Sequence, residues 1–348
     1  MAFKAARLAA SALLALSLCM HSAVAFSDSS TPVAAVPSSE QASPLQLFAK
    51  HIEIEGFGPT PIRRLVIDLP GRVFISYAAN TSSDSADLLG KIKVSGSSAE
   101  VVGLFNVGYI GGTLSEVPVV LKLNAPAQNG DALLVEVTLL RRNALKSVKK
   151  SGSCDLVLLD EVLYSSDKDL MVNDTNVFTS SVVELANTAG AGDVFVVDKA
   201  GSLVMDHANL LAGDGNLQFE FAALNASGGL YVATGLAGNV SLFANALSAD
   251  VDVSVGELKG APRGSICLDT KTSSVNVTLY DKSPENLVSY PGKATFPCVK
   301  RDVPARVPVG NGSVSAADSP TKAVRTSAAT GMRPALGLVI AMLLMAIM

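Results

Sequence analysis

The 348-residue chain has no tryptophan, and aromatic side chains make up only 5% of it. Carbohydrate clefts of the usual kind stack sugar rings on Trp and Tyr faces, and tight protein interfaces are anchored by the same residues, so both are disfavoured. Histidine is as scarce. Only His51 and His207 lie outside the N-terminal leader-like segment, and His207 follows Asp206 in a strand-like run that sends the two side chains to opposite faces. No Gly-x-Ser-x-Gly elbow, His-Glu-x-x-His helix, phosphate loop or dinucleotide fingerprint occurs, so no cofactor and no catalytic set is implied. Charged residues are only 17%, with a formal net charge of −4. A mildly acidic chain argues against a nucleic-acid partner or an anionic membrane surface.

Cysteine is sparse too, at four residues, one of which, Cys19, belongs to the leader. Cys154, Cys267 and Cys298 then allow three single bridges and one leftover thiol. Cys267 with Cys298 is favoured, because Cys298 lies at the end of the folded region, where a bridge would pin a terminal strand. Cys154 reads as a buried, inert thiol.

What the chain does have is an apolar segment at each end. Residues 1–25 place Lys4 and Arg7 before an apolar run and Ala23-Val24-Ala25, the layout of a secretory signal peptide. The last 14 residues, Ala335 to Met348, are uncharged and span about 21 Å as a helix, short of a hydrocarbon core of about 30 Å. Behind small residues and a Ser/Thr/Ala stretch, such a tail fits a glycosylphosphatidylinositol (GPI) attachment signal over 328–348, with Ser327 as the attachment residue; a short transmembrane anchor is the alternative. The expected address is the outer face of the plasma membrane or the cell wall. Six Asn-x-Ser/Thr sequons, at Asn80, Asn173, Asn225, Asn239, Asn276 and Asn311, are candidate N-glycosylation sites of a secreted glycoprotein.

Residues 26–45 and 301–327, rich in Ser, Thr, Ala and Pro, read as a flexible spacer and a stalk. Between them the chain alternates with period two, as in His51-Ile52-Glu53-Ile54-Glu55, Arg72 to Ser76, Lys91 to Ser95 and Leu134 to Leu139. That is the pattern of half-buried strands, so an all-β fold is predicted, as an N-terminal β-rich region over 46–145 and a repeat region over 152–300. The intervening basic run from Arg141 to Lys150 reads as a solvated connector. In the repeat region Gly192, Gly201, Gly215, Gly228 and Gly238 each open a Gly-x-apolar-x-apolar unit. Stacked units of this kind build a β-helix or β-roll; an antiparallel sandwich with hairpin glycines is the alternative. The apolar pairs Val194/Val196, Leu217/Phe219, Leu230/Val232 and Val240/Leu242 should face inward. Phe195, Gln218, Tyr231 and Ser241 should face the other way, with Phe195 and Tyr231 a contact patch if both are exposed and adjacent.

The stretch from about Cys154 to Tyr280, with its Gly-Asp/Asn-apolar-x-apolar strands and endings such as Ser274-Val275-Asn276-Val277-Thr278-Leu279, resembles the candidate adhesin domains in the head region of auto-transporter-like surface proteins. The resemblance implies a stacked-strand structure without an assigned activity, and it carries over no binding residues. The expectation is a lipid-anchored, glycosylated surface module, adhesin-like or structural, contacting cell-wall or host-surface glycans or proteins. The competing reading is a tethered β-helical carbohydrate-active enzyme, for which Asp193, Asp198, Asp206, Asp214, Asp250 and Asp252 would supply facing carboxylates or a calcium site. Most of these sit beside Gly or at strand ends, where Asp commonly serves turns.

Overall fold

The computed structural model describes residues 25–28, 33–34, 48–55, 61–79, 87–109, 118–128, 130–166, 182–187, 192–235, 237–256, 263–280 and 283–310. All of these residues fall within one compact unit, Met1–Ser313. Most of the expected signal peptide, Asn80, Asn173, Asn311, Ser327 and the apolar tail lie outside the described residues.

In chain order the strands are β1 (Ala25–Asp28), β2 (Val33–Ala34), β3 (Phe48–Glu55), β4 (Arg64–Asp68), β5 (Arg72–Tyr77), β6 (Leu88–Gly96), β7 (Phe105–Tyr109), β8 (Pro118–Leu123) and β9 (Ala132–Leu139). There follow β10 (Ser147–Lys150), β11 (Asp155–Leu158), β12 (Val182–Asn187), β13 (Val194–Ala212), β14 (Leu217–Thr234), β15 (Val240–Val255), β16 (Ile266–Leu279), β17 (Val288–Ser289) and β18 (Val309–Gly310). A short α-helix, α1 (Ala99–Leu104), is started by Ser98, whose Oγ accepts from the Val101 N–H, and it buries Val101 and Val102.

Parallel pairing winds these strands into a β-solenoid. One face stacks β8, β4, β10 and β12 and then the last thirds of β13, β14, β15 and β16. A second face stacks β9, β5, β11, the first thirds of β13 to β16, and β17. The middle thirds of the four long strands pair as a third face, with Leu203, Leu224 and Leu247 in register. The four long strands reach 14 to 19 residues because the chain turns two corners of each rung without losing its ladder. Register shifts between Asp198 and Ser202 and between Met205 and His207 mark those corners on β13.

The expected inward positions are correct. Val194, Val196, Leu217, Phe219, Leu230, Val232, Val240 and Leu242 are all buried in one continuous aliphatic core. Parallel strands read as repeats here because each apolar position sits over its counterpart one rung below, and misregister by one residue would turn the whole row outward.

Three expectations about the periphery are overturned. The basic run at 141–150 is no connector: Ser147–Lys150 is β10, paired with β4 and β12, and Lys146 and Lys150 are buried. Within the expected spacer, β1 and β2 pair antiparallel with β3. Within the expected stalk, residues 301–310 lie back on the solenoid and end in β18, antiparallel to β9.

The two ends of the solenoid differ. At the N-terminal end β6 and β3 add antiparallel strands beyond β9, and β7 does the same beyond β8, closing the first rung. At the other end β17 covers only Ile266 and Cys267 of β16.

Candidate functional site

The Gly-Asp/Asn signature marks one corner of the solenoid, where the first face passes to the second. Asp193 N–H donates to Asp155 Oδ1 (3.1 Å). Asn216 donates its N–H (2.9 Å) and its Nδ2 (2.7 Å) to Asp193 Oδ1, and Asn239 repeats the pair on Asn216 Oδ1 at 3.0 and 2.8 Å. Ser265 closes the row on Asn239 Oδ1 through N–H (2.8 Å) and Oγ (2.7 Å). Each side chain satisfies the turn below it, so the corner carries a stacked polar ladder.

The preceding residues are glycine for lack of room. A Cβ on Gly215 would lie 2.0 Å from the Gly192 carbonyl oxygen, one on Gly238 2.3 Å from that of Gly215, and one on Gly264 2.0 Å from that of Gly238. None of these glycines has positive φ, so close approach of successive turns, rather than a left-handed corner, selects them. The true repeat is therefore 23 residues, Asp193 to Asn216 to Asn239, and Gly201 and Gly228 lie on β13 and β14, away from this corner.

Behind the ladder lies a buried polar cluster. Lys150 and Asn187 are register partners with no exposed surface, and Lys150 Nζ donates to Asn187 Oδ1 (3.1 Å) and to the Gly192 carbonyl (2.8 Å). Burial holds the Lys150 ammonium below its usual range and pushes the neighbouring Cys154 thiol up to about 12. Cys154 stays protonated and is enclosed, so it offers no nucleophile.

The outward side of the second face is sealed by the returning C-terminal strap. Cys267 and Cys298 are bridged, which fixes the strap's start to β16. From there Lys300 pairs with Glu220 (2.8 Å), and Arg301 Nη1 donates to Asp193 Oδ2 (2.6 Å) with its guanidinium 5.3 Å from the Phe195 ring. Gln218 clamps the strap's backbone, accepting from Arg301 N–H and donating to its carbonyl, both at 2.8 Å. Arg306 covers Phe74, and Arg72 donates to the Ala305 carbonyl (2.9 Å). Beneath lies a second apolar cluster of Phe74, Leu134, Val157 and Phe195. Burial raises the carboxyl of Glu220, and hydrogen bonds from Lys300 and Lys199 outweigh it, holding the group below the usual carboxylate range.

The expected Phe195/Tyr231 patch does not exist as a pair. Phe195 is 5% exposed under the strap on the second face, while Tyr231 is 36% exposed on the first, in the row Glu184, Asn209, Tyr231, Asp252 and Thr278. Of the sequons in the described residues, Asn225 and Asn276 are exposed, whereas Asn239 is a ladder residue whose Nδ2 is the ladder donor.

A shallow hollow of about 310 Å³ lies across β3, β6 and β9, lined by His51, Glu53, Lys91, Lys93, Glu136 and Thr138 around Ile52 and Ile92. Register places His51 beside Lys93 and Lys93 beside Glu136, with Lys93 Nζ 3.6 Å from the Glu136 carboxylate. Its charges neutralise one another. Nothing in the sequence pattern distinguished these alternating polar residues from any other solvated strand face. Elsewhere Asp193 is spent on the ladder and Arg301, and Asp206 accepts from Ser227 Oγ (3.3 Å). Among the described residues no three His, Cys, Asp or Glu side chains gather as a metal site.

No family model and no curated protein matches the chain. Two solved structures align over most of it. One, an adhesin candidate from Parabacteroides merdae, is 13% identical with a TM-score of 0.28, over 72% of this chain and 100% of that one. The other, from Parabacteroides distasonis, is 14% identical with a TM-score of 0.31, over 71% and 98%. At these scores the likeness carries no argument of its own, and the solenoid is established by its ladder registers.

Proposed function

We propose that the protein is a lipid-anchored, glycosylated surface module that works by non-catalytic contact, adhesin-like, with cell-wall or host-surface glycans or proteins. The observation that carries this reading is the stitched corner: one polar ladder from Asp155 to Ser265 and one strap across the second face make a stiff scaffold whose outward rows repeat at the strand spacing. Of the carboxylates a carbohydrate-active enzyme would draw on, Asp193 is tied into that scaffold by Arg301, and the neighbouring buried Glu220 is held by two lysines. Contact then falls to the first face, where Tyr231 is the largest exposed side chain of its row.

The test is a glycan and cell-binding array probed with the purified protein and with Tyr231→Ser. Binding weakened by that substitution, in a protein of unchanged thermal stability, is the expected result. Hydrolysis of an arrayed glycan would overturn the reading in favour of the enzyme.

A further inference from the structure

Among the described residues, the C-terminal end of the solenoid is only partly covered. Beyond Cys267, no strand among the described residues pairs with the far side of β16, so its backbone groups from Leu268 to Leu279 face outward from the stack. The core is less covered there too. One rung earlier Val251 and Val253 are completely buried, while their register partners Val277 and Leu279, together with Val275, are only half-buried. A long edge with an apolar side is a template for another strand.

The pattern on this edge is self-complementary. Antiparallel pairing of two copies about a two-fold axis at Asn276 sets Val275 opposite Val277 of the second copy, Ser274 opposite Thr278 and Ser273 opposite Leu279, all with inward and outward faces matched. It would bury both sets of half-exposed valines. Asn276 itself, exposed and facing away from the core, would stand directly against its counterpart, with Cβ atoms about 5 Å apart. It is also the acceptor of an Asn-Val-Thr sequon.

We infer that an N-glycan on Asn276 is the cap of the solenoid, and that the occupant it excludes from the β16 edge is a second copy of this chain. Two glycans cannot share the axis. The modification transfers an oligosaccharide from its lipid diphosphate carrier to Asn276 Nδ2, which gives up one proton as the lipid diphosphate leaves. A covalent cap does here what β6, β3 and β7 do at the other end. The inference rests on the secretory part of the proposed function, since the transfer needs that route.

The test expresses the full chain in a glycosylating eukaryotic host and compares it with Thr278→Val and Asn276→Gln, both at exposed positions. Peptide mass mapping reads occupancy at Asn276 and Asn225, and light scattering reads mass against concentration. The expected result is an occupied Asn276 and a monomer for the parent, and a twofold protein mass for both variants. Adding Val275→Lys to Thr278→Val should restore the monomer, while Ser227→Ala, which removes only the Asn225 sequon, should leave it unchanged. Occupancy at Asn225 with none at Asn276, or monomeric variants at about 100 μM, would overturn the cap while leaving secretion intact. Glycan at any other sequon with none at Asn276 would likewise overturn the cap alone, whereas absence of glycan at all six sequons would overturn secretion and the cap together.

Discussion

At the scale of single residues, the fold is governed by what one carboxamide can satisfy. Asn216 accepts two hydrogen bonds from Asn239 and donates its N–H and Nδ2 to Asp193, so Asn216→Ala leaves both Asn239 donors without their acceptor and removes one of the two donors to Asp193. A loss of about 2–3 kcal/mol is expected from urea unfolding. Asn239 obeys the same logic against its own sequon. In the folded corner its half-buried Nδ2 is turned onto Asn216 Oδ1 at 2.8 Å, so a transferase would have to lift it off the ladder. Glycopeptide mapping of secreted protein should therefore find Asn225 modified and Asn239 bare; an occupied Asn239 in folded protein would refute the ladder as the reason. Glu220 gives a pH signature. Its folded carboxyl titrates below the ordinary 4.5, so its contribution is complete above that value and disappears as pH falls through it toward the lower folded value. Urea midpoints should show Glu220→Gln less stable than the parent at pH 7 and equal to it once the pH is below the folded value. Salt should narrow the pH 7 gap, because Lys199 and Lys300 are half exposed.

At the scale of elements, the strap is the part that the bridge decides. Cys267 and Cys298 are 31 residues apart, and opening that loop by Cys298→Ser should cost about 3–4 kcal/mol in thermal or denaturant unfolding. In the unfolded parent, processed of its leader, a thiol assay should then find only Cys154. The bridge was readable from sequence because Cys298 sits where the apolar pattern ends. The inward rows were readable too, since Leu217/Phe219 and Val240/Leu242 keep period two whatever their rung. The repeat length was not, because Gly201 and Gly228 imitate the corner glycines of Gly192, Gly215 and Gly238 while lying on strands. The strand identity of Ser147–Lys150 was hidden by its lysines, of which Lys150 turns inward to meet Asn187 and Gly192 from a strand 37 residues away. A buried ammonium with side-chain and carbonyl partners has no signature in a linear pattern. The strap was missed for a related reason: Arg301 and Arg306 look like stalk charges until Phe195 and Phe74 are seen beneath them.

At the scale of the molecule, the order of rungs departs from the order of the chain. The rung of β8 and β9 lies outside that of β4 and β5, which in turn pairs with β10 and β11. Residues 64–77 are thus sandwiched between rungs that follow them in sequence, and such non-local pairing makes slow folding the expectation. The proposed anchor is tested at the same scale. Phosphatidylinositol-specific phospholipase C, or mild acid if the lipid resists it, should release the protein from intact cells, and deletion of 335–348 should convert it to a secreted form. Retention together with a peptide containing Leu343 and Leu344 would refute the lipid.

The strap returns the chain from the partly covered end of the solenoid to the capped one, and this sets how the protein would bear tension. A pull on the chain beyond Gly310 enters at β18, where only a two-residue antiparallel contact with β9 resists it. Peeling would run rung by rung, lifting Arg306 from Phe74 and then Arg301 from Asp193, and would free residues 299–310, a segment of roughly 40 Å when extended. There it would stop. At Cys298 the load would pass through the bridge to Cys267, at the start of β16, so that the rod would be drawn from its far end and the aliphatic core would be spared until the last strand is pulled away.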